Sequence, residues 1–243
     1  MLQQSGHRKE LPNRNLKWCR RVPRSGSGEV TNIPLLKYVG SKERPVLLST
    51  GMANLGEVGQ AIQTLRSSGC NEIALLHCVS NYPAAPSDAN LRAILTMKQV
   101  FGLPVGFSDH TPGITVAIGA VGVGASIIEK HFTLDKSMPG PDHKASLDPA
   151  ELKSMIAGIR MLEVALGTGV KAPAASELEN RAIVRRSLAA AVDIEAGTRI
   201  EPHMLRALRP GTGIPPTSLD EVVKRTTKRS LKAGQLIDWT DLA

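Results

Sequence analysis

Strand-like and helix-like segments alternate along this chain from about Ser27 to Gly167, and no other feature narrows its fold as much. "RPVLLST" (44–50) is an apolar, β-rich run, and "NLGEVGQAIQTLRSSG" (54–69) has helical spacing closed by glycine. "EIALLHCV" (72–79) predicts the next strand and "DANLRAILTMKQVFG" (88–102) the next helix. "LPVGFSDH" (103–110), a helix near 114–123 and "SIIEKHFT" (126–133) continue the pattern. "DPAELKSMIAGIRMLEVALG" (148–167) predicts a long amphipathic helix, with Asp148 as N-cap, Pro149 at the first helical position and Gly167 as stop. A repeat of roughly 25–30 residues per strand and helix reads as βαβ units around a parallel sheet. The runs are too apolar for one-sided sheets, which suits strands buried on both faces.

Beyond Gly167 the pattern changes. "VKAPAASELEN" (170–180) is small, polar and Pro-containing, and reads as part of a linker over 170–184. "RRSLAAAVDIEAGTRIEPHMLRALRPGTGIPP" (185–216) predicts a strand, a Glu-Ala-Gly turn, a second strand, a short helix opened by Pro202 and a Pro/Gly-rich loop. "RSLKAGQLIDWTDL" (229–242) echoes the Ala-Gly turn between short strands. A small, mostly β domain over 185–243 follows.

The net charge of +8 is concentrated at one end: residues 1–28 hold seven basic side chains against Glu10 alone. With no aromatic platform beside them, residues 1–21 read as a disordered basic extension, and nucleic acid is not the expected partner. No window holds ~18 consecutive apolar residues, so no membrane span is expected, and the basic start lacks the apolar core of a secretory signal. Cys19, Cys70 and Cys78 show no close metal-binding spacing and read as reduced thiols of a cytoplasmic protein.

The chemistry centres on two histidines. His110 and His131 each end a predicted strand, and side-chain alternation puts Ser108 beside His110 and Glu129 beside His131. Two neutral imidazoles with open positions suit a catalytic divalent ion better than a closed structural site. In "HCVSNYP" (77–83), Cys78, Ser80 and Tyr82 share one face, while His77, Val79 and Asn81 share the other. His77 and Cys78 read as packing residues, since nothing orients a base against the thiol. "MPGPDHKAS" (138–146) reads as a loop, because two prolines and a glycine oppose either regular element.

"SGEVTNIPLLKYV", "LLSTGMA", "LLHCVSNYPA", "GFSDHT", "IEKHFTLDKSMPGPDHKASLDP", "RRSLAAA" and "RPGTGI" together resemble the sialic acid synthases over roughly residues 22–243. The resemblance implies an α/β (β/α)8 barrel, here N-terminally incomplete over 22–169, followed by an antifreeze-like domain. It implies condensation of phosphoenolpyruvate with N-acetylmannosamine or a related amino sugar, with Mn²⁺ or Mg²⁺ as cofactor. On it, His110 and His131 correspond to the metal ligands, and Tyr82 to a residue contacting the sugar. Asp142 corresponds to the aspartate that holds the sugar's hydroxyls. Ser27 and Ser108 are further candidate ligand-binding residues. Ser80 stands where some relatives carry a phosphoenolpyruvate-binding asparagine, with Asn81 adjacent, so that either residue can make the contact. Arg24 replaces a lysine, a substitution that exchanges a point charge for a planar fork. Arg209 matches an arginine that reaches a partner subunit's site, implying a domain-swapped homodimer.

A (β/α)8 domain typically needs ~250 residues, whereas about 170 precede the linker here. Four clear strands and a fifth in "RVPRSGS" (21–27) can be counted. The barrel's first three βα units, with a carboxylate and a lysine important in the family, find no match. The expectations are therefore weak or absent synthase activity and an open strand edge near 21–27 that favours association. The alternative is a non-catalytic fragment that retains a metal or sugar site or acts as an interaction protein.

Overall fold

The computed structural model describes residues 3–4, 23–140 and 142–243. The basic extension called over 1–21 lies outside the described residues apart from Gln3–Gln4, and Cys19 lies outside them altogether. The chain divides into two compact units, Met1–Gly169 and Val170–Ala243.

The first unit is built on one sheet. Strands β2 (Arg24–Ser25), β3 (Val46–Ser49), β4 (Ile73–Cys78), β5 (Val105–Asp109) and β6 (Ile127–Lys130) pair in sequence order, all parallel. The short β1 (Gln3–Gln4) adds antiparallel to the outer side of β6. Helices α1 (Ile33–Gly40), α2 (Leu55–Ser67), α3 (Arg92–Phe101), α4 (Thr115–Gly122) and α5 (Pro149–Leu166) complete the alternation. The five parallel strands curl into a half-barrel, because Arg24 on β2 reaches Glu129 on β6 across the concave face, Nη2 to Oε1 at 2.7 Å. This is an incomplete (β/α)8 barrel joined to a small second domain.

Register sorts the strand residues onto two faces. Leu48, Leu75, Phe107 and Ile128 belong to the main core with Leu36, Leu65 and Ile94 of the helices. Leu47, Ala74 and Leu76 form a smaller buried cluster on the concave side, with Ile127 against it. Gly106 allows that side to close up: a Cβ there would stand 2.6 Å from Ile127 Cβ and 2.7 Å from Leu76 Cδ2. The helix ends carry the expected chemistry. Asn54 with Glu57 and Asp148 with Glu151 form capping boxes, and Gly102 ends α3 at φ 63°.

Helix α1 has no counterpart in the sequence reading. "IPLLKYVG" is short and nearly continuous in apolar residues, so periodicity cannot separate helix from strand; Asn32, accepting from Leu35 N at 3.2 Å, starts it.

In the second unit, β7 (Ser187–Ala190) pairs antiparallel with β8 (Leu205–Leu208) over a core of Leu188, Ile194, Ile200, Ile214, Leu231 and Ile237. The second unit adds detail to one reading and corrects another. The span 170–184, read as linker, contains helix α6 (Leu178–Val184). Its residues are all exposed, so it carries no buried apolar stripe for a sequence pattern to reveal. The strand expected directly after the Glu-Ala-Gly turn is only a single bridge, Arg199 to Thr226, and the ladder partner of β7 follows Pro202.

Phe107 is 1% exposed at the centre of the main core. Phe107→Ala is expected to destabilise the first unit by about 3–5 kcal/mol, read as a lowered urea midpoint of its unfolding transition.

Candidate functional site

All five parallel strands end on the same side of the sheet, and the residues just inside and beyond those ends supply the polar groups. Cys78 pairs in register with Ser108, and Ser108 with Glu129. These three therefore share the concave face, and His110 and His131 follow two residues further along their chains.

Two connected groups of side chains result. In the first, Gly51 N donates to Ser27 Oγ at 3.1 Å, and Ser27 Oγ lies 3.1 Å from Cys78 Sγ. A Cβ on Gly51 would collide with Ser80 Oγ and come within 2.8 Å of Ser27 Oγ. Glycine is thus required for the two serine hydroxyls to converge. Of the two residues left open, Ser80 borders this cradle, whereas Asn81 is exposed and its Oδ1 accepts from Tyr82 N at 3.1 Å.

In the second group, Glu129 Oε1 accepts from Ser108 Oγ at 2.6 Å and from Arg24 Nη2 at 2.7 Å. Ser108 Oγ lies 3.4 Å from His110 Nε2. His110 Nδ1 meets the Val79 carbonyl at 2.6 Å, a contact satisfied when Nδ1 carries the proton, which leaves Nε2 as a free lone pair. The rings of His110 and His131 stand 5.3 Å apart, nearly perpendicular, and Tyr82 lies 4.3 Å from His110 and 5.5 Å from His131 between centroids. His131 Nδ1 faces Asp142 Oδ2 at 3.8 Å. Arg24, Ser27, Ser80, Tyr82, Ser108, His110, His131 and Asp142 are thus gathered on one side, and Asn81 turns away. Arg209 belongs to the second unit, where its Nε donates to Val184 O at 2.9 Å.

Burial above all, with the neighbouring His131 adding to it, lowers the pKa of His110 below 6.5 and favours the neutral ring. Tyr82 is raised, mainly by burial and then by nearby acidic groups. A neutral imidazole with a free Nε2 fits a metal donor. Among the described residues no cluster of three or more His, Cys, Asp or Glu is close enough to form a complete ligand set, so the chain offers two imidazoles with Asp142 nearby.

The sequence reading assigned no role to Gly51 or Glu129 and read Cys78 as packing. Glu129, two residues before His131, was marked only by parity. Gly51 carries no side-chain signal. His77 does serve packing, with Nε2 2.9 Å from Ala89 O and its ring 5.8 Å from Phe107. A cleft of about 440 Å³ beside it, lined by Thr50, Met52, Asn90, Arg92 and Met97, opens on the helix side. It shares Cys78 with the convergent polar groups, which place the candidate site on the concave face.

Comparison with known proteins covers the same part of the chain. The NeuB family model matches residues 21–171, well over half of the chain. The chain belongs to the NeuB family. A SAF domain matches residues 185–243 of this NeuB-family chain. The N,N'-diacetyllegionaminic acid synthase of Legionella pneumophila is 48% identical over 217 residues, covering 88% of this chain and 61% of that protein. The enzyme of the same name from Campylobacter jejuni is 45% identical, covering 87% and 64%. The crystal structure of N-acetylneuraminic acid (sialic acid) synthetase from Leptospira borgpetersenii matches with a TM-score of 0.61 at 38% identity, covering 65% of this chain and 55% of that one. The chain thus spans about three fifths of the length of these curated relatives. Among its described residues no helix is long and apolar enough to cross a membrane.

Burial lowers His77 as well as His110 below 6.5. Both therefore bind protons more weakly when folded than when unfolded. As pH falls through 6.5 the unfolded chain takes up protons first, so stability is expected to decline below that pH. Urea midpoints between pH 7.5 and 5.5 check the sign, and His77→Gln should flatten the decline; an unchanged slope would remove His77 from the account.

Proposed function

We propose that this chain carries the metal-side wall of a synthase site that condenses phosphoenolpyruvate with an amino sugar to give a nine-carbon acidic sugar and phosphate. The observation that carries the reading is the convergence of Ser27, Ser80, Tyr82, Ser108, His110 and His131 at one end of five parallel strands, in a chain of the NeuB family. Barrel enzymes place their chemistry at this end. The names of the relatives favour N-acetylneuraminate or N,N'-diacetyllegionaminate as the product type.

In this reading the Ser27–Ser80–Gly51 cradle and the Arg24 guanidinium hold the anionic groups of phosphoenolpyruvate. The arginine fork suits phosphate or carboxylate geometry. Tyr82 and Asp142 face the amino sugar. His110 Nε2 and His131 would be the nitrogen donors to a Mn²⁺ or Mg²⁺ ion, which when bound would polarise the sugar aldehyde. The methylene carbon of phosphoenolpyruvate forms the new carbon–carbon bond at that aldehyde. Water then adds at the former enol carbon and the carbon–oxygen bond to phosphate breaks. Glu129, which accepts from Arg24 and Ser108, orients the Arg24 guanidinium. We further propose a cytoplasmic homodimer in which Arg209 of a second copy completes the site.

Phosphate release with phosphoenolpyruvate, Mn²⁺ and either N-acetylmannosamine or the diacetylated sugar tests this. The expected result is metal-dependent release that falls at least about 100-fold in His110→Ala. Release indifferent to both His110→Ala and His131→Ala would overturn the reading.

A further inference from the structure

On the helix side of the strands that carry the two histidines lies an ion pair closed off from solvent. Asp109 on β5 and Lys130 on β6 are register partners, their side chains 0% and 3% exposed, with Nζ 2.7 Å from Oδ2. The Lys130 ammonium also donates to the Thr111 carbonyl, and Asp109 Oδ1 accepts from both Thr111 N and Thr111 Oγ1 at 2.8 Å. Each member is adjacent in sequence to an imidazole. Asp109 and Thr111 flank His110, and Lys130 precedes His131. Side-chain alternation points the ion pair to the face opposite that of the rings.

The pairing of β5 with β6 stops at Asp109 and Lys130, so the histidines stand one residue past the end of the ladder. There the chain is held by other bonds. Ala84 N donates to His110 O and Leu147 N to His131 O, both at 2.9 Å, but neither ties one histidine strand to the other. Lys130 does so. Its ammonium joins the last residue of β6 to the Thr111 carbonyl, just beyond His110 and past the end of β5. A buried ion pair is weak evidence for a stabilising role, since apolar residues of similar volume often serve as well or better; its best-attested use is to specify register.

We propose that Asp109, Lys130 and Thr111 form a positioning clamp that sets the separation and orientation of His110 and His131. The clamp touches no reactant and acts through the two backbones that carry the rings. The proposal deepens the reading above and rests on its assignment of the two imidazoles as metal donors.

The test compares the full-length wild type with Asp109→Leu/Lys130→Met, in which both charges are removed so that neither is left buried alone. Thermal unfolding reports the fold, calorimetric titration with Mn²⁺ alone reports the site, and ¹⁵N imidazole spectra of the metal-free protein report the His110 tautomer. The expected double variant melts within about 4 °C of wild type. It binds Mn²⁺ about 10–100-fold more weakly and loses the single Nδ1–H tautomer of His110. Wild-type affinity together with an unchanged tautomer in a folded double variant would overturn the clamp. If that variant does not fold, Thr111→Val decides. Its loss of the Oγ1 bond should weaken Mn²⁺ binding in the same direction by a smaller factor, and an unchanged affinity would overturn the proposal. If the wild type itself binds no Mn²⁺, the metal assignment fails, and the tautomer comparison alone decides whether the clamp positions the ring.

Discussion

Parallel pairing of β4, β5 and β6 in one register is the constraint on which the rest of the first unit depends. Cys78 opposite Ser108 and Ser108 opposite Glu129 form a polar row across the concave face. The same register puts Leu75 opposite Val105 and Phe107 opposite Ile128 on the helix side, where they fill the main core. A slip of one residue would turn every such side chain to the other face. It would set Phe107 and Ile128 toward the concave face and bury Ser108 and Glu129 among the helices. The apolar core therefore enforces the geometry of the polar site, although the two share no residue.

Curvature supplies what register alone cannot. Arg24 and Glu129 lie on the first and last of the five parallel strands, yet their side chains meet at 2.7 Å. Glu129 also accepts from Ser108, whose hydroxyl stands near His110, so a continuous polar path runs from Arg24 to His110. A charged group half sunk into such a face is tolerable because its partners are hydrogen-bonded to it. A lysine at position 24 would offer a point charge rather than a planar fork, and the contact with Glu129 would change in kind.

The cradle around Gly51 works by omission. Ser27, Cys78 and Ser80 come from two different strand ends and can converge only because no Cβ stands between them. The result is that the Ser27 hydroxyl, which accepts from Gly51 N, and the Ser80 hydroxyl converge over the Gly51 backbone. On the second unit, separate physics applies. Its strands are short, and single bridges such as Ile194 to Leu231 join the loops over a compact aliphatic core.

Strand and helix order, the cap at Asp148, the stop at Gly167 and the parity that pairs Ser108 with His110 and Glu129 with His131 were all legible in the sequence. Each is a local property, set by period, by a capping side chain or by backbone freedom, and needs no distant partner. Helix α1 and helix α6 were not legible, the first because its apolar run is too short and continuous to show a period, the second because none of it is buried. Parity could say which residues share a face, but not which face turns inward. That was decided by the tertiary structure, where sheet curvature brings Arg24 to Glu129 and packing sends Phe107 and Ile128 the other way. The sequence by itself determined the repeat and the residue types at each strand end. Only the folded chain decided that Gly51 opens a cradle, that Ser80 rather than Asn81 lines it, and that Lys130 reaches back to Thr111, because each of these is a contact between segments about 20 or more residues apart.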